Sequence, residues 1–225
     1  MKIIILVLSS ENKPYDILEK TIRETWAREY PDNVEIYYYY GGADINYIEG
    51  DKIYSNTEEN IYNIGQKTIN AFEFLSNKDY DYVFRTNSSS YVNIEYLLEY
   101  IKDKPNKMFY HGVVSHYEPE NFKFVSGSGY IISRDLIDLV IENKDKWDHS
   151  FPNADDVSIG KLLNYFGVIP TKGIRVDIGI HRRDHSIENL TKQEFDNNYH
   201  FRCKCDDRNE DVLLMKKLNE IENER

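Results

Sequence analysis

The chain has 225 residues, enough for one domain with a sizeable core and too few for two comfortable ones. Its 28 basic and 39 acidic side chains give a net charge of −11, which argues against nucleic acid as a partner. The first apolar run, at 3–8, is far too short to span a bilayer. With no signal segment and only two cysteines, Cys203 and Cys205, the sequence predicts a cytoplasmic protein without a membrane span.

Strand and helix patterns alternate along the chain. They predict a buried strand at 3–8, a helix between Pro14 and Pro31, a strand at 34–40, a long helix around 61–75 and a strand at 81–85. Further along they predict a helix near 94–103, shorter strands over 107–133, and helices at 134–143, 154–166 and 209–222. Alternating βα units followed by mixed strands indicate an α/β fold with an open, mixed and mostly parallel sheet flanked by helices. We therefore expect a single Rossmann-like domain over 1–225.

Polar or glycine-rich turns follow three strands of this predicted sheet. Ser9-Ser10 follow the first, Gly41-Gly42 the second, and Thr86-Asn87-Ser88-Ser89 the third. Ligands of open α/β sheets bind outside the carboxyl ends of the strands. The sequence therefore predicts one crevice lined by all three turns.

Two adjacent acids, Asp155 and Asp156, lie at the start of the helix predicted at 154–166. Acidic residues in the first turn complement the helix dipole, and Asn153 could be the N-cap, so a structural role is sufficient. Alternatively, a carboxylate at the mouth of a helix could take a proton from an acceptor hydroxyl. The helix N-terminus is expected to lower its pKa, and a transfer with an oxocarbenium-like transition state tolerates such a weaker base.

The last third of the chain concentrates positive charge. Ten basic residues lie between 175 and 208: Arg175, His181, Arg182, Arg183, His185, Lys192, His200, Arg202, Lys204 and Arg208. A solvated basic face would explain them, and so would a site for a phosphate group. His200, Arg202 and Lys204 alternate, so an extended segment would place them on one side.

A small-residue segment, Ser126-Gly127-Ser128-Gly129, interrupts the apolar stretch 124–133. The two glycines predict a break in a strand, either as a tight bend or as a place where a bulky ligand approaches the backbone.

Four segments resemble, in order, elements of the β-1,3-glycosyltransferases, the galactosyltransferase and Fringe group. Residues 21–26 resemble the Ile-Arg-x-Thr-Trp element, and 85–93 lie where that family has its aspartate-rich motif. Residues 124–133 resemble the Ser-Gly-x-Gly-Tyr-x-x-Ser element, and 155–160 resemble the acidic pair with its Val and Gly. The similarity extends over residues 2–205.

The resemblance implies a GT-A fold and an inverting glycosyltransferase. Such an enzyme moves a hexose or N-acetylhexosamine from a UDP-sugar to a hydroxyl of a glycan or glycoprotein. Residues 1–100 would form the nucleotide-binding half, 101–205 the acceptor and catalytic half, and 206–225 a C-terminal helix. The sequence does not indicate an oligomeric state.

By position in the family's motifs, Asp156 would be the base, with Asp155 as the fallback. The residues implied at the nucleotide-sugar are Ser9, Arg23, Asp51, Lys67, Arg85, Asn87, Ser88, Ser89, His200, Arg202 and Lys204. The residues implied at the acceptor are Ser126, Gly127, Ser128 and Gly129.

One element departs from the family pattern, because Asn87-Ser88-Ser89 replaces the metal-binding Asp-x-Asp. Neutral oxygens are poor substitutes for carboxylates on Mg²⁺ or Mn²⁺.

Two explanations of this departure differ in class, and a third hypothesis is a different kind of nucleotide-handling enzyme. In the favoured one no divalent metal is used, and protein cations neutralise the leaving diphosphate; these would be Arg85, His200, Arg202 and Lys204. In the second, the domain is catalytically inactive and binds a glycan or nucleotide. A third, a nucleotidyltransferase, normally shows a glycine-rich phosphate loop, which the sequence lacks.

Overall fold

The computed structural model describes residues 1–148, 155–179 and 186–224. The strands are β1 (Ile3–Leu8), β2 (Val34–Tyr40), β3 (Tyr47–Glu49), β4 (Lys52–Tyr54), β5 (Tyr82–Asn87), β6 (Ser90–Val92), β7 (Tyr110–Tyr117), β8 (Phe122–Ser133), β9 (Thr171–Lys172), β10 (Val176–Asp177) and β11 (His200–Arg202). The α-helices are α1 (Tyr15–Glu24), α2 (Ile64–Leu75), α3 (Ile94–Ile101), α4 (Arg134–Glu142), α5 (Asp155–Tyr165), α6 (Lys192–Asp196) and α7 (Arg208–Asn223).

The chain forms two compact units, each assembled from separate stretches. The first unit contains Met1–Ser10, Asn33–Asn87 and Pro105–Gly173. The second contains Glu11–Asp32, Ser88–Lys104 and Ile174–Arg225. The single domain with its nucleotide-binding and acceptor halves stays a prediction.

A mixed sheet forms the centre of the first unit. Among the described residues its strand order is β3-β4-β2-β1-β5-β8-β7-β9. β4, β2, β1 and β5 are parallel, and β5, β8 and β7 are antiparallel neighbours. The predicted fold class, a mixed and mostly parallel sheet with flanking helices, is confirmed.

One face of this sheet packs against α2, α4 and α5. Alternate strand residues such as Leu6, Tyr39 and Val83 meet helix residues such as Phe72 and Leu136 in one buried apolar cluster. Because side chains alternate between the two faces of a strand, these strand residues share one face. The cluster fixes the N-terminal ends of α2 and α5 relative to the strands, which matters for the site described below.

The predicted break at the small-residue segment is wrong, because β8 continues through it as one extended strand. The irregularity lies in its pairing with β7, where the register moves from Gly112↔Tyr130 to Val114↔Val125. Pairing with β5 stops at Thr86↔Gly129. Residues 126–128 therefore form a bulge outside both ladders, and their peptide groups can bind side chains instead.

The second unit has a small sheet of its own, in the order β10-β11-β6 in the part of the chain that is described. β11 runs antiparallel to β6, with His200 opposite Val92 and Arg202 opposite Ser90. The rings of Phe195 and Phe201 stack with centroids 5.1 Å apart in its core. None of the helices in the described ranges combines the length and apolar composition needed to cross a membrane.

The contact between α5 and β8 leads to a test of packing at Gly160. A Cβ at this position would lie 2.2 Å from Phe124 Cβ and 2.9 Å from Phe124 Cα. Glycine to alanine inside a helix ordinarily stabilises by about 1 kcal/mol. Here the clash should reverse the sign, so that Gly160→Ala lowers the free energy of unfolding by about 1–3 kcal/mol in denaturant titrations. The exposed Asn164→Ala in the same helix is the control and should be neutral or stabilising; an equally stable Gly160→Ala protein would contradict the packing.

Candidate functional site

The carboxyl edge of the first unit's sheet, where β1, β2 and β5 end, collects several of the predicted residues. Leu8 is in register with Tyr39 on one side and with Asn87 on the other. Ser9, Gly41 and Asn87 therefore follow or end neighbouring strands at this edge. Ser88 and Ser89 belong to the second unit.

Arg85 is the central side chain of the first unit's polar core, although only 2 % of its surface is exposed. Its Nη2 lies 2.8 Å from Asp155 Oδ2, and its Nε donates to the Tyr39 hydroxyl at 2.9 Å. Its Nη1 donates to the Gly127 carbonyl. Thr68 Oγ1 donates to the same Asp155 oxygen at 3.0 Å. The guanidinium thus joins β5 to β2, to the bulge of β8 and to the start of α5.

The surroundings of Arg85 keep it charged. Burial opposes its charge, but the carboxylate of Asp155 and the nearby Tyr39 and Tyr130 oxygens outweigh burial and raise the pKa of Arg85. Burial raises the pKa of Tyr39 to about 12 and that of Tyr130 well above its ordinary value, so both phenols stay neutral. Asp155 is therefore the anionic partner of Arg85. The expected roles of Arg85 at a diphosphate and of Asp155 as the fallback base stay predictions, and the structure shows the two side chains paired with each other.

Asp156 lies beside this pair, half-buried in the first turn of α5. Its Oδ2 accepts from the Gly127 N–H at 2.6 Å, and its Oδ1 accepts from the Val157 N–H at 2.9 Å. Burial raises the pKa of Asp156, and the charge of Asp155 raises it further, against the smaller opposing effects of Gly127 and Arg85. The expected lowering by the helix N-terminus is therefore wrong, because desolvation and a like charge outweigh it.

The bulge explains why glycine occupies position 127. A Cβ there would lie 3.1 Å from Asp156 Cβ and 3.2 Å from Arg85 Nη1. The other predicted acceptor residues are close by along the chain: Ser126 Oγ and Ser128 Oγ are 3.0 Å apart, and Thr86 Oγ1 donates to the Ser128 carbonyl at 2.9 Å. Gly129 pairs with Thr86 where the β5 ladder ends.

Lys67 and Asp51 complete the predicted residues of the first unit. Lys67 is buried in α2, and its Nζ lies 2.6 Å from Glu59 Oε1. Glu59 Oε2 accepts from the Gly41 N–H at 2.6 Å, so the ion pair is anchored at the end of β2. Asp51 lies in the turn before β4, where its carbonyl accepts from the Tyr38 N–H at 2.9 Å.

In the second unit, the predicted serines lie beside the strand that carries the basic residues. Ser89 Oγ accepts from Arg208 Nη2 at 2.7 Å, and the Ser89 carbonyl accepts from the Cys203 N–H at 2.8 Å. Ser88 is buried next to it in sequence. Arg23, on α1, pairs with Glu19 at 3.0 Å. Residues 181–185, with four of the ten basic residues, lie outside the described residues.

His200 does not meet the expectation of a cation. It is buried, its Nε2 lies 3.1 Å from Ser90 Oγ, and burial with nearby Arg175 lowers its pKa to about 3. The imidazole is therefore neutral near pH 7 and contributes no positive charge. Arg202 is half-buried and Lys204 is exposed. These two remain as carriers of positive charge in the alternating segment.

The described side chains do not form a divalent-metal site like that of the Asp-x-Asp motif. Within the ranges that the structure describes, no group of three or more His, Cys, Asp and Glu side chains is placed to hold a metal ion. Asn87 supplies only neutral atoms where a carboxylate would be needed. Independence from a metal stays a prediction.

Sequence reasoning missed Tyr39 and Thr68 as partners of the charged pair. Both were visible only as members of apolar faces, Tyr39 within a run of four tyrosines and Thr68 within a helical stripe. The contacts of Tyr39 with Arg85 and of Thr68 with Asp155 could not be identified without the strand order. The alternation along β2 would at most have placed Tyr39 on the same face as Tyr37.

No family model matches the sequence, and no curated protein matches it either. Among solved structures, the chain is similar to a glycosyltransferase involved in the glycosylation of the major capsid of PBCV-1. The TM-score is 0.50 and the sequence identity 13 %, and the match covers 94 % of this chain and 98 % of that chain. At this identity the similarity concerns the fold, and it agrees with the α/β architecture described above.

The burial of His200 predicts how stability depends on pH. Below about pH 6.5 the unfolded chain binds a proton at this residue, whereas the folded protein does so only near pH 3. The free energy of unfolding should therefore fall with decreasing pH between these values, by up to about 1.4 kcal/mol per pH unit. His200→Gln should flatten this dependence in denaturant titrations at pH 4 to 7. The exposed His116→Gln serves as the control and should keep the wild-type slope; an unchanged slope in His200→Gln would show that His200 titrates normally.

Proposed function

We propose that this protein is an inverting glycosyltransferase that moves a hexose or N-acetylhexosamine from a UDP-sugar to a hydroxyl of a glycan or protein. The observation that carries the proposal is the Asp156 carboxylate, held against the bulge of β8 at the start of α5. The fold shared with a solved glycosyltransferase supports the same class of reaction.

In the proposed reaction, Asp156 acts as the general base. Its raised pKa makes it a stronger base than an ordinary aspartate. The acceptor oxygen forms a bond to the anomeric carbon as the bond from that carbon to the diphosphate oxygen breaks. The hydroxyl proton moves to Asp156, and UDP leaves with the bonding electrons from the opposite face of the sugar.

The negative charge that develops on the departing UDP needs a counter-charge. Since Arg85 is paired with Asp155 and His200 is neutral, Arg202 and Lys204 are the proposed cations. Asn87, Ser88 and Ser89 are proposed to contribute neutral hydrogen bonds, and Ser9, Arg23, Asp51 and Lys67 are proposed to lie near the nucleotide. This assignment follows the resemblance and the charges of the side chains.

The alternative is a domain that binds a glycan or nucleotide without turnover. The neutral Asn87 turn favours it, because a metal-dependent mechanism would require carboxylates there. The half-buried carboxylate of Asp156 favours the enzyme, since a binding domain has no need of a base with a raised pKa.

Replacement of the base separates these two functions. Asp156→Asn keeps an oxygen that can accept from the Gly127 N–H but removes the proton acceptor. Transfer from UDP-sugar, or its slow hydrolysis, should fall by about 10²–10⁴-fold, with the affinity for UDP unchanged within about twofold. Asp138→Asn, at a half-buried aspartate of α4 paired with Arg134, is the matched control and should retain full turnover. Wild-type turnover in Asp156→Asn would exclude Asp156 as the base.

Titration of UDP by calorimetry tests the proposed counter-charge. With EDTA present, UDP should bind as tightly as with Mn²⁺, and replacing Arg202 and Lys204 together by Met should weaken binding at least about tenfold. The exposed pair Lys20 and Lys102, replaced in the same way, is the control. Binding that strictly requires Mn²⁺ would refute the metal-free mechanism, and absence of binding under both conditions would refute a UDP-sugar donor.

A further inference from the structure

The backbone of Gly127 links Asp155 and Asp156 through a closed circuit of contacts. Its N–H donates to Asp156 Oδ2 at 2.6 Å, and its carbonyl accepts from Arg85 Nη1. Arg85 Nη2 in turn lies 2.8 Å from Asp155 Oδ2, and Asp155 precedes Asp156 directly in the chain. Arg85 therefore contacts both Asp155, the residue before Asp156, and Gly127, one of the two residues whose N–H donates to Asp156.

Arg85 and Asp155 are the buried members of this circuit, and their contacts anchor them on several elements. Arg85 Nε donates to the Tyr39 hydroxyl at 2.9 Å, and that hydroxyl lies 3.1 Å from Thr68 Oγ1. Thr68 also donates to Asp155 at 3.0 Å. Each of these contacts involves a different strand or helix, so the position of Asp155 is determined from several directions at once.

We propose that Arg85 and Asp155 form the positioning pair of this site, which sets the place and the charge environment of Asp156 and takes no part in proton transfer itself. The inference rests on the proposed function for its chemical meaning. It changes the role of Asp155 from a fallback base to the counter-ion of a buried guanidinium. Both Arg85 Nη2 and Thr68 Oγ1 contact Asp155 Oδ2, so this carboxylate is oriented towards the buried guanidinium.

The two members of the pair act on Asp156 with opposite sign. Among the described residues, the charged or titratable groups that face Asp156 are Asp155, Arg85 and, more weakly, the buried Tyr110. Loss of Asp155 leaves Asp156 next to an uncompensated cation and should lower its pKa. Loss of Arg85 leaves two neighbouring carboxyl groups without a counter-charge, so that they share a proton and titrate at higher pH.

The test combines three variants with two measurements. Asp155→Asn, Arg85→Met and Arg85→Lys are compared with the wild type by the pH profile of kcat and by ¹³C NMR titration of the Asp156 carboxyl, assigned by its loss in Asp156→Asn. Asp155→Asn should move the acidic limb and the NMR midpoint to lower pH, and Arg85→Met should move both to higher pH. Arg85→Lys should restore the wild-type midpoint in part. Arg85→Met should also lower kcat about 100-fold with little change in KM for the donor.

If Arg85 and Asp155 only stabilised the fold, the pH midpoints would behave differently. Loss of folded protein lowers the active fraction but leaves the pH midpoint in place, so unshifted midpoints, or shifts of the same sign in Asp155→Asn and Arg85→Met, would overturn the inference. If Arg85→Met does not fold, the shift of Asp155→Asn to lower pH decides alone. Asp79→Asn and Arg28→Met, at exposed ion pairs, are the matched controls.

The NMR titration needs no turnover, so it separates this inference from the proposed function. Opposite midpoint shifts in a protein that transfers no sugar would support the effect of the pair on Asp156 and refute the transferase. Turnover that depends on Asp156 with unshifted midpoints would refute the positioning pair alone.

Discussion

The buried ion pair between Arg85 and Asp155 is the contact on which the polar core of the first unit depends. An arginine with 2 % exposure tolerates its desolvation only when its charge and its donors are matched. Here Asp155 supplies the charge, and Tyr39 and the Gly127 carbonyl accept from the remaining nitrogens. Removing one partner would leave a buried charge without compensation, which typically costs about 3–5 kcal/mol. The pair therefore constrains the start of α5 in addition to the apolar core.

The irregular pairing of β8 follows from the same constraint. A regular ladder with β7 would engage the peptide groups of residues 126–128 in strand hydrogen bonds, and Gly127 would have nothing to offer Arg85 and Asp156. The register shift opposite Gly112 releases them. A bulge leaves backbone groups outside the strand ladder. In this unit the bulge leaves the Gly127 N–H as a donor to Asp156 and the Gly127 carbonyl as an acceptor from Arg85.

Charge in the second unit is distributed differently from what its composition suggests. The alternating segment contains a histidine, an arginine and a lysine, but the histidine is the most deeply buried of the three and is neutral. Its neighbours Arg175 and Arg202 disfavour a further positive charge on the ring. Counting basic residues therefore overstates the positive charge of this segment, because burial removes charge from the residue that titrates most easily.

The sequence by itself determined the α/β class, the approximate bounds of the main helices and strands, and the grouping of polar turns after β1, β2 and β5. Local hydrophobic periodicity and turn chemistry carry that information, and they act over a few residues. The tertiary structure alone decided that Arg85 pairs with Asp155, that the pKa of Asp156 is raised and that His200 is uncharged. These properties depend on burial and on partners from 29 to 110 positions away in the chain, such as Gly127 for Asp156 and Ser90 for His200. Strand order and desolvation create such contacts, and neither is written in local sequence pattern.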